Sequence, residues 1–389
     1  MIRTREEVER AERAVLAPWA TFSAEAGPRE HDEPEDPLRT AFQRDRDRIL
    51  HSAAFRALQH KTQVFVVHEG DLARTRLTHT LEVAQIARSI ASYLGANETL
   101  AEAISLAHDL GHAPFGHQGE EELSEALRAR GFSPFDHNYH SLRIVTELER
   151  HDPRFPGLNL SFATREGIAR HETAYDRPAA VRAYFVSPQP GIEAQIVNVA
   201  DPLAYVTHDL EDALKLRFIE EEELRRLGLP VLIGALGTDV PRPLRFHAIH
   251  RRLLGALIGD ILDESERRLR ALGPAPDAAA VRAAPAPVID LSPARREEVE
   301  ALRRFLDARV YKHPSVLDMC TKGRRVLRAL FDHYVDRPDH LPRAVQARLG
   351  GAPVAPAVAD WLAALTDRGA MDRYRMIFEP YERTLASLE

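Results

Sequence analysis

The sequence predicts an all-α fold, and three observations carry the prediction. Apolar residues recur at helical spacing over long segments, and Val83, Ile86, Ile90 and Leu94 form one stripe within residues 78–94. Helix ends carry capping chemistry: residues 97–110 read as a helix with Asn97 as its N-cap and Gly111 just past its end. No sustained period-two alternation, the mark of a half-buried strand, runs along the chain.

Residues 24–37 are rich in Pro, Glu and Asp and are expected to form a surface loop, which makes residues 1–39 an N-terminal extension. From Phe42 onward the pattern is helical. Residues 193–214 predict a third long helix, and charged-apolar segments at 297–310, 322–334 and 355–365 continue the pattern. Between Leu272 and Pro293 the composition turns to Ala and Pro, which predicts a long loop before the C-terminal helices. There is no fixed-period repeat. The expected organisation is a helical core over residues 40–215 with a C-terminal helical region, residues 216–389, packed on it.

A chain of 389 residues that is 44% hydrophobic has ample material for a core. Its net charge of −7 argues against a general nucleic-acid binder, so an anionic small substrate would have to meet local cations. The single cysteine, Cys320, excludes a disulfide framework and a Cys-rich zinc site; it fits a reducing compartment and is expected as a small core residue. The first residues are charged, without an apolar signal core, and the longest nearly apolar stretch, residues 229–237, is too short to span a bilayer. The expected location is cytoplasmic.

The chemistry gathers at His79, at residues 108–120 and at Asp201. The dipeptide His-Asp means little alone, since His31-Asp32, His151-Asp152 and His208-Asp209 also occur. The setting of His108-Asp109 distinguishes it. His79 lies on the stripe of Val83, Ile86 and Ile90 and so faces inward, a position where a lone histidine is usually a core residue with one hydrogen bond. His108 and Asp109 sit where the next helix ends. Asp201 shares a helix face with Val197, Ala204 and Tyr205, where an unpaired carboxylate would cost several kcal/mol. One shared divalent cation would account for all four placements. Two imidazoles and two carboxylates suit Mn²⁺ first, with Mg²⁺ or Fe²⁺ as alternatives, ahead of a closed zinc site.

Several phrases resemble one family. They are Thr75-Arg76-Leu77-Thr78-His79-Thr80-Leu81-Glu82-Val83, the run from His108 through His112 and His117 to Glu120, Phe135-Asp136-His137-Asn138, and Ala200-Asp201-Pro202-Leu203-Ala204-Tyr205. Upstream, Arg46-Asp47-Arg48-Ile49-Leu50-His51-Ser52 and His60-Lys61-Thr62-Gln63-Val64-Phe65 agree as well. Together they resemble the HD-domain deoxynucleoside triphosphate triphosphohydrolases, the dGTPase-like family, from about Phe42 to Ala213, with weaker agreement at Arg309-Val310-Tyr311-Lys312-His313-Pro314. The resemblance implies an HD-domain helical core with His79, His108, Asp109 and Asp201 as metal ligands. It also implies hydrolysis at the α-phosphate of a deoxynucleoside triphosphate (dNTP), giving deoxynucleoside and tripolyphosphate. Two other readings stay open: an HD phosphohydrolase acting on another nucleotide, such as a monophosphate, and a non-catalytic dNTP sensor.

A sugar alkoxide is a poor leaving group, so a proton donor is needed. The glycine- and proline-punctuated loop after Asp109 carries His112, His117 and Glu120; if a helix restarts near His117, Glu120 lies three residues on, within reach of that imidazole. His117 supported by Glu120 is the expected proton-transfer group, as donor to the 5′ oxygen or, alternatively, as base towards water. No GxxxxGK[ST] loop exists to cradle the triphosphate. Arg76, on the face of His79, is the best side-chain cation, and His112 and His137 are candidates for further hydrogen bonds. By resemblance, Arg303 reaches phosphate, while Gln63, Tyr205, Asp209 and Tyr311 match positions that contact deoxyribose. The basic run Lys322-Gly323-Arg324-Arg325 reads as an effector or subunit contact, or as a solvated helix start. One departure stands out: Pro202 occupies a position where some relatives carry a phosphate-binding lysine. Relatives also form homo-oligomers, and some are activated by a second dNTP.

Overall fold

The computed structural model describes residues 2–63, 74–171, 182–236 and 241–380. Among them there is no β-strand, only isolated bridges such as Thr62 with Thr75. The all-α expectation therefore holds. Three helices form the centre. Arg76–Leu94 opens with a reciprocal cap between Thr75 and Thr78 and closes on Gly95, whose φ of 66° suits glycine. Glu98–Ala107 starts where the Asn97 side chain accepts from the Thr99 and Leu100 amides, and it ends three residues earlier than the apolar pattern suggests, leaving His108 as its C-cap. Ile192–Lys215 runs unbroken through Pro202.

These helices pack on one another through Ile86, Ile90, Ile104, Ile196, Val197 and Leu203, all essentially buried. Each such side chain contributes about 1.5–3 kcal/mol relative to exposure. The long helix Arg242–Ala271 closes this core with Ile249, Leu253, Leu257 and Ile261. A separate cluster binds the helix Gly116–Ala129 to the C-terminal helices: Leu123 and Leu127 meet Leu327, Leu330 and Phe331 of Pro314–Asp336, together with Leu362 of Val354–Ala363. The helix that follows the His-rich loop is thus gripped from the far end of the chain.

Four expectations are corrected. Residues 24–37 are irregular but anchored: Glu33 is almost buried and pairs with Arg44 (3.1 Å) and Arg48 (2.8 Å), and Arg29 meets Asp45 at 2.6 Å. The Ala/Pro-rich stretch contains a helix, Ala278–Ala283, because Asp277 caps a run of alanines and Val281 finds the core. Its Arg282 forks onto Glu166 at 2.7 and 2.8 Å. The run at 322–325 lies in mid-helix rather than at a helix start. There Arg324 pairs with Glu121, Glu122 and Glu125, so that charge is spent inside the molecule. Cys320 is only half-buried, not a core residue. Among the described residues no helix is long and apolar enough to cross a membrane.

Candidate metal centre and active site

The three central helices bring His79, His108, Asp109 and Asp201 together. His79 Nε2 is 2.9 Å from Asp201 Oδ1, and His108 Nε2 is 3.4 Å from Asp109 Oδ1 and 3.6 Å from Asp201 Oδ1. His108 Nδ1 donates to the Ser105 carbonyl (2.6 Å), which in the neutral ring leaves the Nε2 lone pair aimed at the carboxylates. That Nε2 is buried without a hydrogen-bond partner among the described residues. Ligands about 2.1 Å from a six-coordinate ion sit about 3.0 Å apart along a cis edge, so the donor set fits a divalent cation after small adjustments. The electrostatics agree. Burial works against a charged His108, yet Asp109 and Asp201 outweigh it and raise the imidazole to about 9. Burial would raise both carboxylates, but His108 with Arg76 at Asp109, and the three imidazoles around Asp201, hold them well below the usual range. The cluster calls for positive charge at its centre.

His171 belongs to this cluster, and the sequence reading missed it. Its Nδ1 donates to Asn198 Oδ1 (2.9 Å), its Nε2 stands 3.4 Å from Asp201 Oδ2, and its ring lies 5.1 Å from that of His108. The available signal was Asn198, a polar residue one helical turn before Asp201.

Beyond Asp109 the chain turns sharply under the start of the helix His137–Arg143. A Cβ on Gly111 would lie 2.1 Å from the His137 carbonyl oxygen, so only glycine fits there. This contact stacks the His112 and His137 rings at 3.8 Å. His112 Nε2 donates towards Asp109 Oδ1 (3.1 Å), and burial, with Arg76 and His137 nearby, keeps this imidazole neutral. The helix does restart at Gly116, as expected. Glu120, however, sits closer to His137 than to His117. It accepts from the His137 amide (2.9 Å) and contacts its Nδ1 (2.8 Å), while His117 Nδ1 is 3.7 Å away. Burial opposes the Glu120 charge, but His137 and His117 outweigh it and hold the carboxyl low. His117 is 46% exposed, open to an incoming ligand, with its ring edge-on to His112 at 5.2 Å.

Arg76 is 1% exposed. Its Nη1 donates to Asp109 Oδ2 (2.8 Å), while Nε and Nη2 have no hydrogen-bond partner among the described residues. Tyr311, on a separate π-helical turn, donates to Asp209 and packs its ring 5.8 Å from Tyr205. Burial pushes Asp209 up to about 7. Gln63 Oε1 is buried and unpartnered among the described residues; its neighbours Val64 and Phe65 lie outside them. Arg303 Nη1 lies 3.4 Å from Glu300 Oε1. It lines a cavity of about 400 Å³ with Asn198, Pro202 and Val206 on the opposite wall.

Two further residues were missed because their partners are remote in sequence. Lys61, fully buried, donates to the carbonyls of His112 (2.5 Å) and Ala363 (2.8 Å); burial, with Arg76 nearby, lowers it to about 7. Asp367 accepts from the Thr62 amide (2.9 Å), the Thr62 hydroxyl and the Phe115 amide (2.9 Å). Phe115 holds a φ of 65°, costly for a side-chain-bearing residue, and its ring lies on Gly323.

Comparison with known proteins matches residues 76–206 to the HD domain and residues 289–376 to the phosphohydrolase-associated domain. The chain is 45% identical to the deoxyguanosinetriphosphate triphosphohydrolase-like protein of Geobacter sulfurreducens, over 96% of this chain and 97% of that one. It is 43% identical to the same-named protein of Syntrophus aciditrophicus (98% of each) and 44% identical to that of Bordetella pertussis (94% and 96%). The similarity thus extends well past residue 213, where the motifs alone thinned out. HD domains bind divalent metals, and the cluster around His108 has the donors for one. By extent and identity of match, the chain belongs to the HD-domain, dGTPase-like family of metal-dependent phosphohydrolases.

Proposed function

We propose that the protein hydrolyses dNTPs at the α-phosphate, releasing a deoxynucleoside and tripolyphosphate. The observation that carries this reading is Arg76. A buried guanidinium with two nitrogens lacking partners among the described residues, beside a carboxylate of the metal cluster, is a costly arrangement unless an anion completes it. A phosphate oxygen fits that position. Relatives named for deoxyguanosine triphosphate support a nucleotide as its bearer.

His79, His108, Asp109 and Asp201 would hold the ion, with Mn²⁺ preferred and Mg²⁺ or Fe²⁺ as alternatives, and with His171 beside Asp201 as a further donor. When bound, it supplies Lewis-acid polarisation of phosphate oxygen and of water. Arg76 binds the α-phosphate region and stabilises charge as water adds to phosphorus. His112, kept neutral, has a single N–H; released from Asp109 when the ion takes that carboxylate oxygen, it would donate to phosphate, with His137 behind it. His117, exposed and oriented by Glu120, gives the proton to the 5′ oxygen as the bond to phosphorus breaks. Gln63 and Asp209 bind the 3′-hydroxyl, and Tyr205 and Tyr311 close around the sugar, where a 2′-hydroxyl would be excluded. Arg303, across the cavity from Pro202, takes the distal phosphates. Function as a cytoplasmic homo-oligomer, with a second dNTP as effector and the 40–215 core carrying the chemistry, belongs to the same reading.

The test is product analysis. Purified protein with Mn²⁺ and each of the four dNTPs, singly and in pairs, should release tripolyphosphate in amounts equal to deoxynucleoside. Release of orthophosphate or pyrophosphate instead would overturn the proposal. Faster turnover with mixed pairs would support the effector.

A further inference from the structure

A second group of metal-binding side chains lies between Ile192–Lys215 and Arg242–Ala271, apart from the HD centre. Glu211 stands in the last turns of the first helix; His247 and His250, three residues apart, share one face of the second. His247 Nδ1 is 3.8 Å from Glu211 Oε1, and His250 Nδ1 is 3.8 Å from Glu211 Oε2. Both separations are too long for a hydrogen bond, and one ligand atom from each of the three residues falls within 4.8 Å of the others. His250 Nε2, the ring nitrogen other than the one that faces Glu211, is buried without a hydrogen-bond partner among the described residues. We infer that Glu211, His247 and His250 form a binding site for a transition-metal cation, distinct from the HD centre.

Donor type and spacing both favour this ligand. Two imidazoles and one carboxylate suit Zn²⁺ or Co²⁺ rather than Mg²⁺, which prefers oxygen donors and retains its waters. Tetrahedral Zn²⁺ with bonds of about 2.05 Å needs ligand atoms about 3.4 Å apart, so each Glu211–imidazole pair must close by about half an ångström and the two imidazoles, within 4.8 Å of each other, by at most about 1.4 Å. His247 can supply that movement, being 72% exposed, and solvent completes the fourth position. Burial pushes His250 towards the neutral, metal-binding form. The neighbouring charges permit a cation. Glu82, Glu211 and Asp212 are countered by Arg74 and Lys215, three negative charges against two positive, and both cations reach Glu211 itself: Arg74 Nη2 donates to its Oε2 at 2.6 Å and Lys215 Nζ to its Oε1 at 2.8 Å, so an ion would take Oε1 as Lys215 leaves it. Lys215 is half-exposed and free to swing from Glu211 when an ion arrives. Glu211 follows Asp201 by ten residues on one helix, and His208 stands between the two groups, its ring 6.2 Å from that of His79 and 5.1 Å from that of His250. An ion here would tie the end of the ligand-bearing helix to the helix that covers it.

The site is tested on full-length protein freed of metal by chelation and then dialysed against Zn²⁺ alone. Wild type should retain one more Zn²⁺ per chain than His247→Ala or His250→Ala, and Zn²⁺ should raise the melting temperature of wild type more than that of His247→Ala. A His108→Ala variant should lose the HD-centre ion and keep this one. Because His247 is on the surface, His247→Ala should fold even if His250→Ala does not. Equal Zn²⁺ stoichiometry and affinity in wild type and His247→Ala would refute the site.

Discussion

Arg76 donates to Asp109 across 2.8 Å, and both side chains are buried. One nitrogen is thereby fixed against the metal cluster, while Nε and Nη2 are buried without a hydrogen-bond partner among the described residues. Arg76→Lys keeps the charge but loses the planar fork. We expect it to lower kcat/KM for dNTPs about 10²-fold, with Arg76→Ala about 10³-fold, the range for removing a charge-stabilising donor. Tripolyphosphate release under saturating Mn²⁺ measures this. A Lys variant within twofold of wild type would remove Arg76 from the phosphate site.

Tyr311 and Asp209 give a pH dependence with a definite sign. Burial lifts Asp209 from 3.8 to about 7 in the folded state. A carboxyl whose folded pKa is raised contributes its stability fully below the unfolded value and loses it as pH rises through the folded one. Stability should therefore fall between about pH 4 and pH 7 on this account. Burial and the neighbouring carboxylate keep the Tyr311 hydroxyl protonated throughout. In Asp209→Asn the dependence disappears, so the variant should gain on wild type by a few kcal/mol between pH 4 and pH 8, at one pKa unit to about 1.4 kcal/mol. Urea unfolding at several pH values reads the difference. A gap that stays constant with pH would rule out the buried carboxyl as its source.

The sequence made some of this architecture legible and concealed the rest for identifiable reasons. His79 and Asp201 could be placed because helical phase states which face is buried, and both helices form where the apolar stripes predict them. His108 and Asp109 followed from the helix end. His171 lies just past a short helix, where periodicity says nothing about direction, and only its contact with Asp201 reveals it. Glu120 illustrates the limit of spacing arguments. The i, i+3 relation to His117 was real, but His137, seventeen residues away, is the nearer partner. The contacts of Lys61 and Asp367 across some three hundred residues have no local signature at all.

Asp367 joins the Gln63 segment to the His-rich loop by accepting from Thr62 and from the Phe115 amide. Removing the carboxylate leaves those buried donors unsatisfied at about 1–3 kcal/mol each. Asp367→Ala should lose about 2–4 kcal/mol of stability, and Asp367→Asn, which retains one acceptor oxygen, about half of that. Below the melting transition, turnover should fall about tenfold as the His112–His117 loop loosens, and the Phe115 amide should exchange faster with solvent. If Asp367→Ala matches wild type in both unfolding and exchange, the clamp has no energetic role.

Pro202 interrupts the hydrogen-bond ladder of Ile192–Lys215 one residue after Asp201 and faces the cavity shared with Arg303. Its ring removes the amide that would donate to the Asn198 carbonyl, and it offers no charge to a phosphate. Pro202→Lys restores both. The variant should gain about 1 kcal/mol of stability from the added backbone donor. A charge-assisted contact to phosphate should lower KM for dNTPs up to about tenfold, with product identity unchanged. If Arg303 takes the distal phosphates as proposed, the same logic makes it more important in the natural chain than in Pro202→Lys. Arg303→Ala should therefore cost more in the Pro202 background than in the Pro202→Lys background. The double-mutant cycle isolates that coupling. Additive effects in the cycle would mean that Arg303 and position 202 serve different parts of the substrate.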